Sequence, residues 1–205
     1  MKLNATFSDL SGRHVFITGG GSGIGASLTE GFLAQGAKVS FVGLSDANEF
    51  CDSLGEKYDG NRPHFIQCNI MDIPGLKAAI GEARELHGPV GVLLNNAARD
   101  DRHELSDYDV EAWNNSLATN LRPHFFTAQT VADDMREAGG GSIINMSSIS
   151  YMMGNAGYPA YVAAKAGIMG LTRGLARELG PDNIRVNAVM PGWILTERQR
   201  ELWVT

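Results

Sequence analysis

Two cysteines in 205 residues are too few for a disulfide-stapled scaffold. Cys51 and Cys68 fall in no spacing that a metal site or a redox motif uses, so they read as reduced core thiols. No apolar run approaches the roughly 18 residues needed to cross a membrane. The segment from Met1 to Arg13 is polar and lacks the apolar stretch of a secretion signal. Dense Lys/Arg tracts are missing too, and the net charge is −6, which argues against nucleic acid as a partner. There are no repeats and no low-complexity tracts. These absences leave a soluble, cytoplasmic protein with no metal, no nucleic acid and no membrane.

What the chain does have is glycine, 25 residues of it, and an apolar content of 43%, enough for a full core. Its length fits one domain. Short apolar runs alternate with longer helical patterns, the mark of a parallel sheet wrapped by helices. Strands are expected at His14–Thr18, Lys38–Val42, His64–Gln67, Val90–Asn95, Ser142–Met146 and Ile184–Val189. Helices are expected at Gly23–Gln35, Ala47–Tyr58, Pro74–His87 and Asp109–Ala138, and in the segment that carries Tyr161 as far as Leu179. Pro123 should kink or break the long helix near Asn120, because proline has no N–H and crowds the preceding turn. The expected fold is a doubly wound parallel α/β sheet, Rossmann-like, in three α/β/α layers.

Thr18-Gly19-Gly20-Gly21-Ser22-Gly23-Ile24-Gly25 follows the first strand and opens the first helix. Gly19, Gly23 and Gly25 sit where a dinucleotide fold needs a tight turn, a close backbone approach to pyrophosphate, and close helix–strand packing. The helix N-terminus adds free N–H donors and the positive end of its dipole. An acid for the ribose hydroxyls is expected about 20 residues further on. That place holds Gly43, followed by Leu44 and Ser45. Asp46 comes three residues late and reads as a helix cap. No Arg stands there to meet a 2′-phosphate, and Ser22 occupies the turn position where a basic residue would favour NADP. The balance leans to NAD, with NADP not excluded.

Tyr161 and Lys165 are four residues apart, on one face of a helix, and Tyr161 lies 13 residues after Ser148. An ammonium beside a phenol favours the phenolate and lowers its pKa. A phenol tuned in this way can exchange a proton with an alcohol or a carbonyl. Ser147 and Ser148 both end the fifth strand, where open α/β sheets bind ligands; the spacing to Tyr161 favours Ser148. Asp100-Asp101-Arg102-His103 follows the fourth strand on the same edge and suits a polyhydroxylated substrate. Ser150, Tyr151, Asn155, Tyr158 and Trp193 are further pocket candidates by position.

Together these motifs resemble the short-chain dehydrogenase/reductase family over essentially the whole chain. The resemblance rests on the Thr18-to-Gly25 turn, Asn95-Asn96-Ala97-Ala98, Asn120, the Ser148/Tyr161/Lys165 set, and Pro191-Gly192 with Thr196. Within the family the chain looks most like the aldose 1-dehydrogenases of the bacterial D-xylose dehydrogenase kind. That finer likeness is carried by Asp100 to His103, Ala176 to Pro181, and Arg198-Gln199.

The resemblance implies that Tyr161 is the acid/base and that Lys165 lowers its pKa and holds the nicotinamide ribose. It implies that Ser148 hydrogen-bonds the reacting oxygen and that Asn120 holds a water in a proton relay. Cofactor contacts are implied at Gly19, Ser22, Gly23, Ile24, Gly25, Leu44, Asn69, Ile70, Asn96, Ala97, Pro191, Gly192, Ile194 and Thr196. Substrate contacts are expected among Asp101, Arg102, His103, Ser150, Asn155, Tyr158 and Trp193. The expected reaction moves a hydride between a nicotinamide cofactor and a sugar hydroxyl, taking an aldose to its lactone. The alternative is an NADPH-dependent carbonyl reductase of the 3-oxoacyl or ketosteroid type. An idle nucleotide-binding scaffold is a third reading, opposed by the complete Asn120/Ser148/Tyr161/Lys165 set.

Residues 1–205 read as a single dinucleotide-binding and catalytic domain that lacks its last strand and part of a substrate loop. The helix around Tyr161 is apolar nearly all round, so one side needs a cover beyond the sheet. With Phe125 and Phe126 on the neighbouring helix, this predicts a homodimer, or the homotetramer that the resemblance suggests.

Overall fold

The computed structural model describes residues 5–203. The first residues of the amino-terminal segment, and Thr205, on which the reading of a shortened chain rests, lie outside them. So does the side chain of Trp203.

Six strands form one sheet: β1 (His14–Thr18), β2 (Lys38–Gly43), β3 (His64–Gln67), β4 (Val92–Asn95), β5 (Gly141–Met146) and β6 (Ile184–Val189). Every pairing is parallel, in the order β3-β2-β1-β4-β5-β6. All five residues of β1 are buried, as a central parallel strand covered on both faces requires. Val15 and Ile17 pack with Leu33, Phe41 and Leu54 on one face. Phe16 and Leu93 pack with Ile80, Val131 and Leu175 on the other. The sheet is thus the middle of three layers, as expected from the sequence.

The helices are α1 (Gly23–Ala34), α2 (Asn48–Lys57), α3 (Ile73–His87), α4 (Val110–Asn120), α5 (Arg122–Glu137), α6 (Ser150–Met153), α7 (Pro159–Leu179) and α8 (Glu197–Trp203). Their starts follow local chemistry. The Asp72 carboxylate accepts from the Gly75 N–H at 3.1 Å, with Pro74 in the first turn of α3. Asp109 does the same for the Ala112 N–H at the start of α4.

The expected break near Asn120 is present: residues 109–138 form two helices that part at Leu121, two residues before the proline that cannot continue the ladder. Two expectations are corrected. β4 begins at Val92, not Val90, because the Val90 N–H turns to the Asp134 carboxylate instead of a strand partner. Asp46 does not cap α2 in the strict sense. Its carboxylate accepts from the Asn48 N–H at 2.9 Å, one residue outside the cap position held by Ala47.

Strands β1 to β3 run outward one way and β4 to β6 the other. The order therefore reverses between β1 and β4. A crevice opens beyond the carboxyl ends of strands at such a point, and every site candidate but Asn120 and Tyr161–Lys165 sits on a loop or a helix start at that edge.

Candidate active site

The glycine turn is locked by its neighbours. The Gly19 N–H reaches the Val42 carbonyl at 2.7 Å, and Gly19 has φ +71, a conformation that favours glycine. A Cβ on Gly25 would run into the Gly19 carbonyl oxygen, so no side chain fits there. The Thr18 hydroxyl accepts from the N–H groups of Asn96 and Ala97, at 2.9 and 3.1 Å, and the Asn96 amide donates back to the Gly19 carbonyl at 3.0 Å. Turn and β4 loop are thereby one rigid unit. Ser22 precedes the first turn of α1 in extended backbone. A helix N-terminus behind a turn this tight fits the phosphates of a dinucleotide.

Above the strand ends lies a cavity of about 440 Å³. Its wall includes Ser148, Tyr161 and Lys165, together with Ile24, Asn96, Asp100, Arg102 and Tyr158. Pro191, Gly192, Ile194 and Thr196 also line it, as do Ser150, Asn155 and Trp193. Thr196 comes over the first turn of α1: a Cβ on Gly23 would meet it at 3.2 Å.

The serines divide. Ser147 gives its hydroxyl to the Lys165 backbone carbonyl at 2.7 Å and so ties β5 to α7. Ser148 faces the phenol and hydrogen-bonds it, while accepting from the Ser150 N–H at 3.1 Å. The Ser150 hydroxyl is buried and has no partner among the described residues.

The electrostatics differ from the sequence expectation. Burial pushes the Tyr161 phenol up to about 12, and the Ser148 hydrogen bond and Arg102 only partly oppose it. Asp100 and Tyr158 push the same way as burial. Lys165, 2% exposed, is itself lowered to about 8 by burial, with Asp100 pulling upward. Its ammonium donates to the Met146 carbonyl at 2.7 Å. Desolvation outweighs the attraction that the four-residue spacing alone suggests.

Other candidates are placed elsewhere. Asn120 is buried with its amide oxygen accepting from the Arg99 N–H at 2.8 Å and its amide nitrogen donating to the Ser116 carbonyl. It pins the loop after β4 rather than lining the cavity. Asp101 is outside the cavity wall, paired with Arg99 at 3.0 Å and Arg198 at 3.3 Å. His103 stacks on Tyr108 with centroids 3.5 Å apart, and its N–H ties the loop to Gly157. Tyr151 donates to the Met190 sulfur at 3.3 Å. Leu44 is exposed beyond β2, Asn69 accepts locally from the Met71 N–H, and Ile70 is buried in the core. Only the backbone of Ile70 is left for a ligand.

Asp100 belongs to the wall instead of Asp101. Gln199 and Arg198 of α8 hold its two carboxylate oxygens at 3.0 and 3.3 Å. Arg102 lies over the Tyr158 ring, its guanidinium carbon 3.8 Å from the centroid. The sequence offers no signal that separates Asp100 from Asp101; only the loop's path does. Among the described residues, no group of three or more His, Cys, Asp or Glu side chains could hold a metal, and no helix is long and apolar enough to cross a membrane.

Comparison with known proteins gives a consistent picture. The short chain dehydrogenase family pattern matches residues 13–204. The chain is 50% identical to a probable galactose dehydrogenase of Rhizobium meliloti (strain 1021), over 98% of this chain and 79% of that one. It is 46% identical to the D-xylose 1-dehydrogenase of Caulobacter vibrioides (strain NA1000 / CB15N), with the same coverage. Among solved structures, the L-sorbose reductase of Gluconobacter frateurii, in complex with NADPH and L-sorbose, superposes with a TM-score of 0.89 at 31% identity, over 94% of this chain and 73% of that one.

Proposed function

The chain belongs to the short-chain dehydrogenase family, and on that premise we propose that it oxidises the anomeric hydroxyl of an aldose to the lactone, with NAD as hydride acceptor. It is an NAD(P)-dependent oxidoreductase of CH–OH groups. The observation that carries the substrate reading is one cavity that brings Ser148, Tyr161 and Lys165 together with Asp100 and Arg102.

The bound nicotinamide supplies the acceptor for the hydride that leaves the anomeric carbon. The chain's own residues handle the oxygen and its proton. Ser148 donates a hydrogen bond to the reacting oxygen and holds it in place. Tyr161, as phenolate, takes the hydroxyl proton as the carbonyl forms. Lys165 has three N–H donors, one spent on Met146, which leaves two for a cofactor hydroxyl and its surroundings. On the cofactor side, Gly19, Gly23 and Gly25 give the pyrophosphate its close approach, and Asn96, Ile194 and Thr196 border the groove.

NAD over NADP is supported by the end of β2. Gly43, Leu44, Ser45 and Asp46 offer no cation to a 2′-phosphate, and Asp46 would repel one. A sugar is supported by two charged side chains, Asp100 and Arg102, lining the same cavity as Ser148 and Tyr161. The protein is further proposed to work in the cytoplasm, where its two unpaired cysteines stay reduced, and as a homo-oligomer through α5 and α7.

The test is a panel of aldoses with NAD and with NADP, followed by the absorbance of the reduced nicotinamide. Aldose oxidation favouring NAD supports the proposal. Turnover confined to NADPH and 3-oxoacyl or ketosteroid carbonyls would replace it with the carbonyl-reductase reading. Cofactor binding with no turnover on any substrate would leave an idle scaffold.

A further inference from the structure

The proposed chemistry gives α8 no task, yet two of its side chains take hold of one carboxylate. The Arg198 guanidinium donates to Oδ1 of Asp100 at 3.3 Å, and the Gln199 amide donates to Oδ2 at 3.0 Å. Consecutive helix residues are turned about 100° from each other, so the two donors come from different directions, one to each oxygen. Arg198 also reaches Asp101 at 3.3 Å, and Asp101 in turn holds Arg99 at 3.0 Å. The helix is anchored at its start. The Thr196 hydroxyl accepts from the Gln199 N–H at 3.3 Å, and Thr196 comes over Gly23 at the head of α1.

Asp100 lies where a substrate would meet it. Asp100 and Gln199 line the cavity with Ser148 and Tyr161, whereas Arg198 stands outside the wall with its side chain half exposed. An ionised carboxylate has roughly four acceptor positions. Gln199 and Arg198 take one on each oxygen, and among the described residues no other hydrogen bond reaches the group. One position on each oxygen is left, side by side, an arrangement that accepts from two donors at once. Half-exposed ion pairs contribute little to stability. What this one supplies is geometry, the direction in which the carboxylate faces.

We propose that Arg198 and Gln199 are positioning residues, which fix the Asp100 carboxylate so that its two remaining acceptor positions receive a pair of hydroxyls on neighbouring carbons of the substrate. Arg198 touches neither the substrate nor the cofactor and acts only through Asp100. The inference rests on the aldose reading and adds to it the hydroxyl arrangement that the site takes.

Steady-state kinetics test it, with the aldose turned over fastest in the panel, on Arg198→Met, Arg198→Lys, Asp100→Ala and the double variant of Asp100→Ala with Arg198→Met. Arg198→Met should raise the KM for the aldose by roughly three- to tenfold, the worth of an ion pair at this exposure. Lost positioning of a bound hydroxyl pair is lost uniform binding, so kcat and the KM for NAD should stay within about twofold. Arg198→Lys should recover most of the aldose KM. In the Asp100→Ala background, Arg198→Met should add no further rise, because the group it acts through is gone. An unmoved aldose KM in Arg198→Met, full additivity in the double variant, or a KM for NAD that rises alongside overturns the proposal.

Limited trypsin digestion reads the clamp without any substrate. Arg200 follows the clamp directly and is exposed. Asp100→Ala releases α8, and cleavage after Arg200 should become several-fold faster. Cleavage at the wild-type rate overturns the proposal even where aldoses are oxidised. Faster cleavage in a protein that oxidises no aldose overturns the aldose reading and the hydroxyl pair with it, while the clamp itself stands.

Discussion

The Lys165 ammonium lies 5.4 Å from the centroid of the Tyr161 ring but gives its short hydrogen bond to the Met146 carbonyl oxygen. Tyr161 is therefore governed by its burial, which pushes it up to about 12, and Lys165 by its own, which brings it to about 8. Oxidation needs the phenolate, and reduction needs the phenol. Below the phenol's pKa the phenolate fraction grows about tenfold per pH unit. The initial rate of substrate oxidation is thus expected to climb steeply from pH 6 toward pH 8, where Lys165 begins to lose its proton, while carbonyl reduction, whose phenol stays protonated, should vary little over that interval. A flat oxidation profile across that interval would show that the phenol does not carry the proton.

Removing the phenol oxygen is the direct check on the same residue. Tyr161→Phe keeps the ring beside Tyr158, whose centroid is 5.7 Å away, so packing survives. Turnover should fall by roughly 10²–10⁴, the usual worth of a positioned acid/base. Cofactor affinity, measured by fluorescence titration, should stay within a few-fold of wild type. Retention of more than a tenth of the rate would remove Tyr161 from its assigned role.

Gly43 offers a gain-of-selectivity test. A Cβ there would meet Phe65 at 3.6 Å and the Ser45 carbonyl at 3.9 Å, ordinary contacts that leave room for a side chain. A carboxylate at this strand end accepts from the ribose hydroxyls and repels a 2′-phosphate. Gly43→Asp should raise the ratio of kcat/KM for NAD to that for NADP. An unchanged ratio would mean that β2 does not end beside the ribose.

The strands were legible because buried parallel strands write themselves as unbroken apolar runs, as His14–Thr18 does. The break near Pro123 was legible because proline removes a specific hydrogen bond. The helices α6 and α8 were not, since four and seven residues are too short to show a period. The spacing of Tyr161 and Lys165 pointed to one helix face and Ser148 to a strand end, and the structure places all three on one cavity. Spacing does not report desolvation, however, and so it gave the wrong sign for Tyr161. Nor does it show which polar groups are already spent. Asn69, Asp101 and His103 look available in sequence, yet each has a local partner.

Acid should destabilise this fold in a defined window. Burial lowers His14, brings His87 to about 4 and His124 to about 3. In the unfolded chain all three return to about 6.5. Between those limits the unfolded state binds more protons than the folded one, so stability is full above about pH 6.5 and falls as pH drops toward 4. The packing explains the cluster: His14 and His87 rings sit edge to face at 5.4 Å, and His14 is fixed to Gly88 and Ser40. Thermal midpoints should decline from pH 7 to pH 4.5. His87→Phe, which keeps the ring contact, should flatten that decline by about one proton's worth of slope. An equal slope in the variant would mean that His87 titrates normally.

Assembly follows from the outer side of α7. Ala163, Ala166 and Gly170 are exposed there, one helical turn apart, between the buried rows that carry Ala164, Ile168 and Leu175. Small residues let another helix approach closely, and Phe125 on α5 exposes 43% of its surface beside Phe126, the two rings edge to face at 5.2 Å. Two copies related by a two-fold axis would lay these helices against their equivalents and cover both faces. Light scattering at micromolar concentration should give at least twice the protomer mass. Ala166→Arg, which adds bulk and charge to the outer row without touching the sheet, should shift the population toward monomer. A monomeric wild-type protein at that concentration would refute the dimer, and an Ala166→Arg variant that stays dimeric would move the contact away from α7.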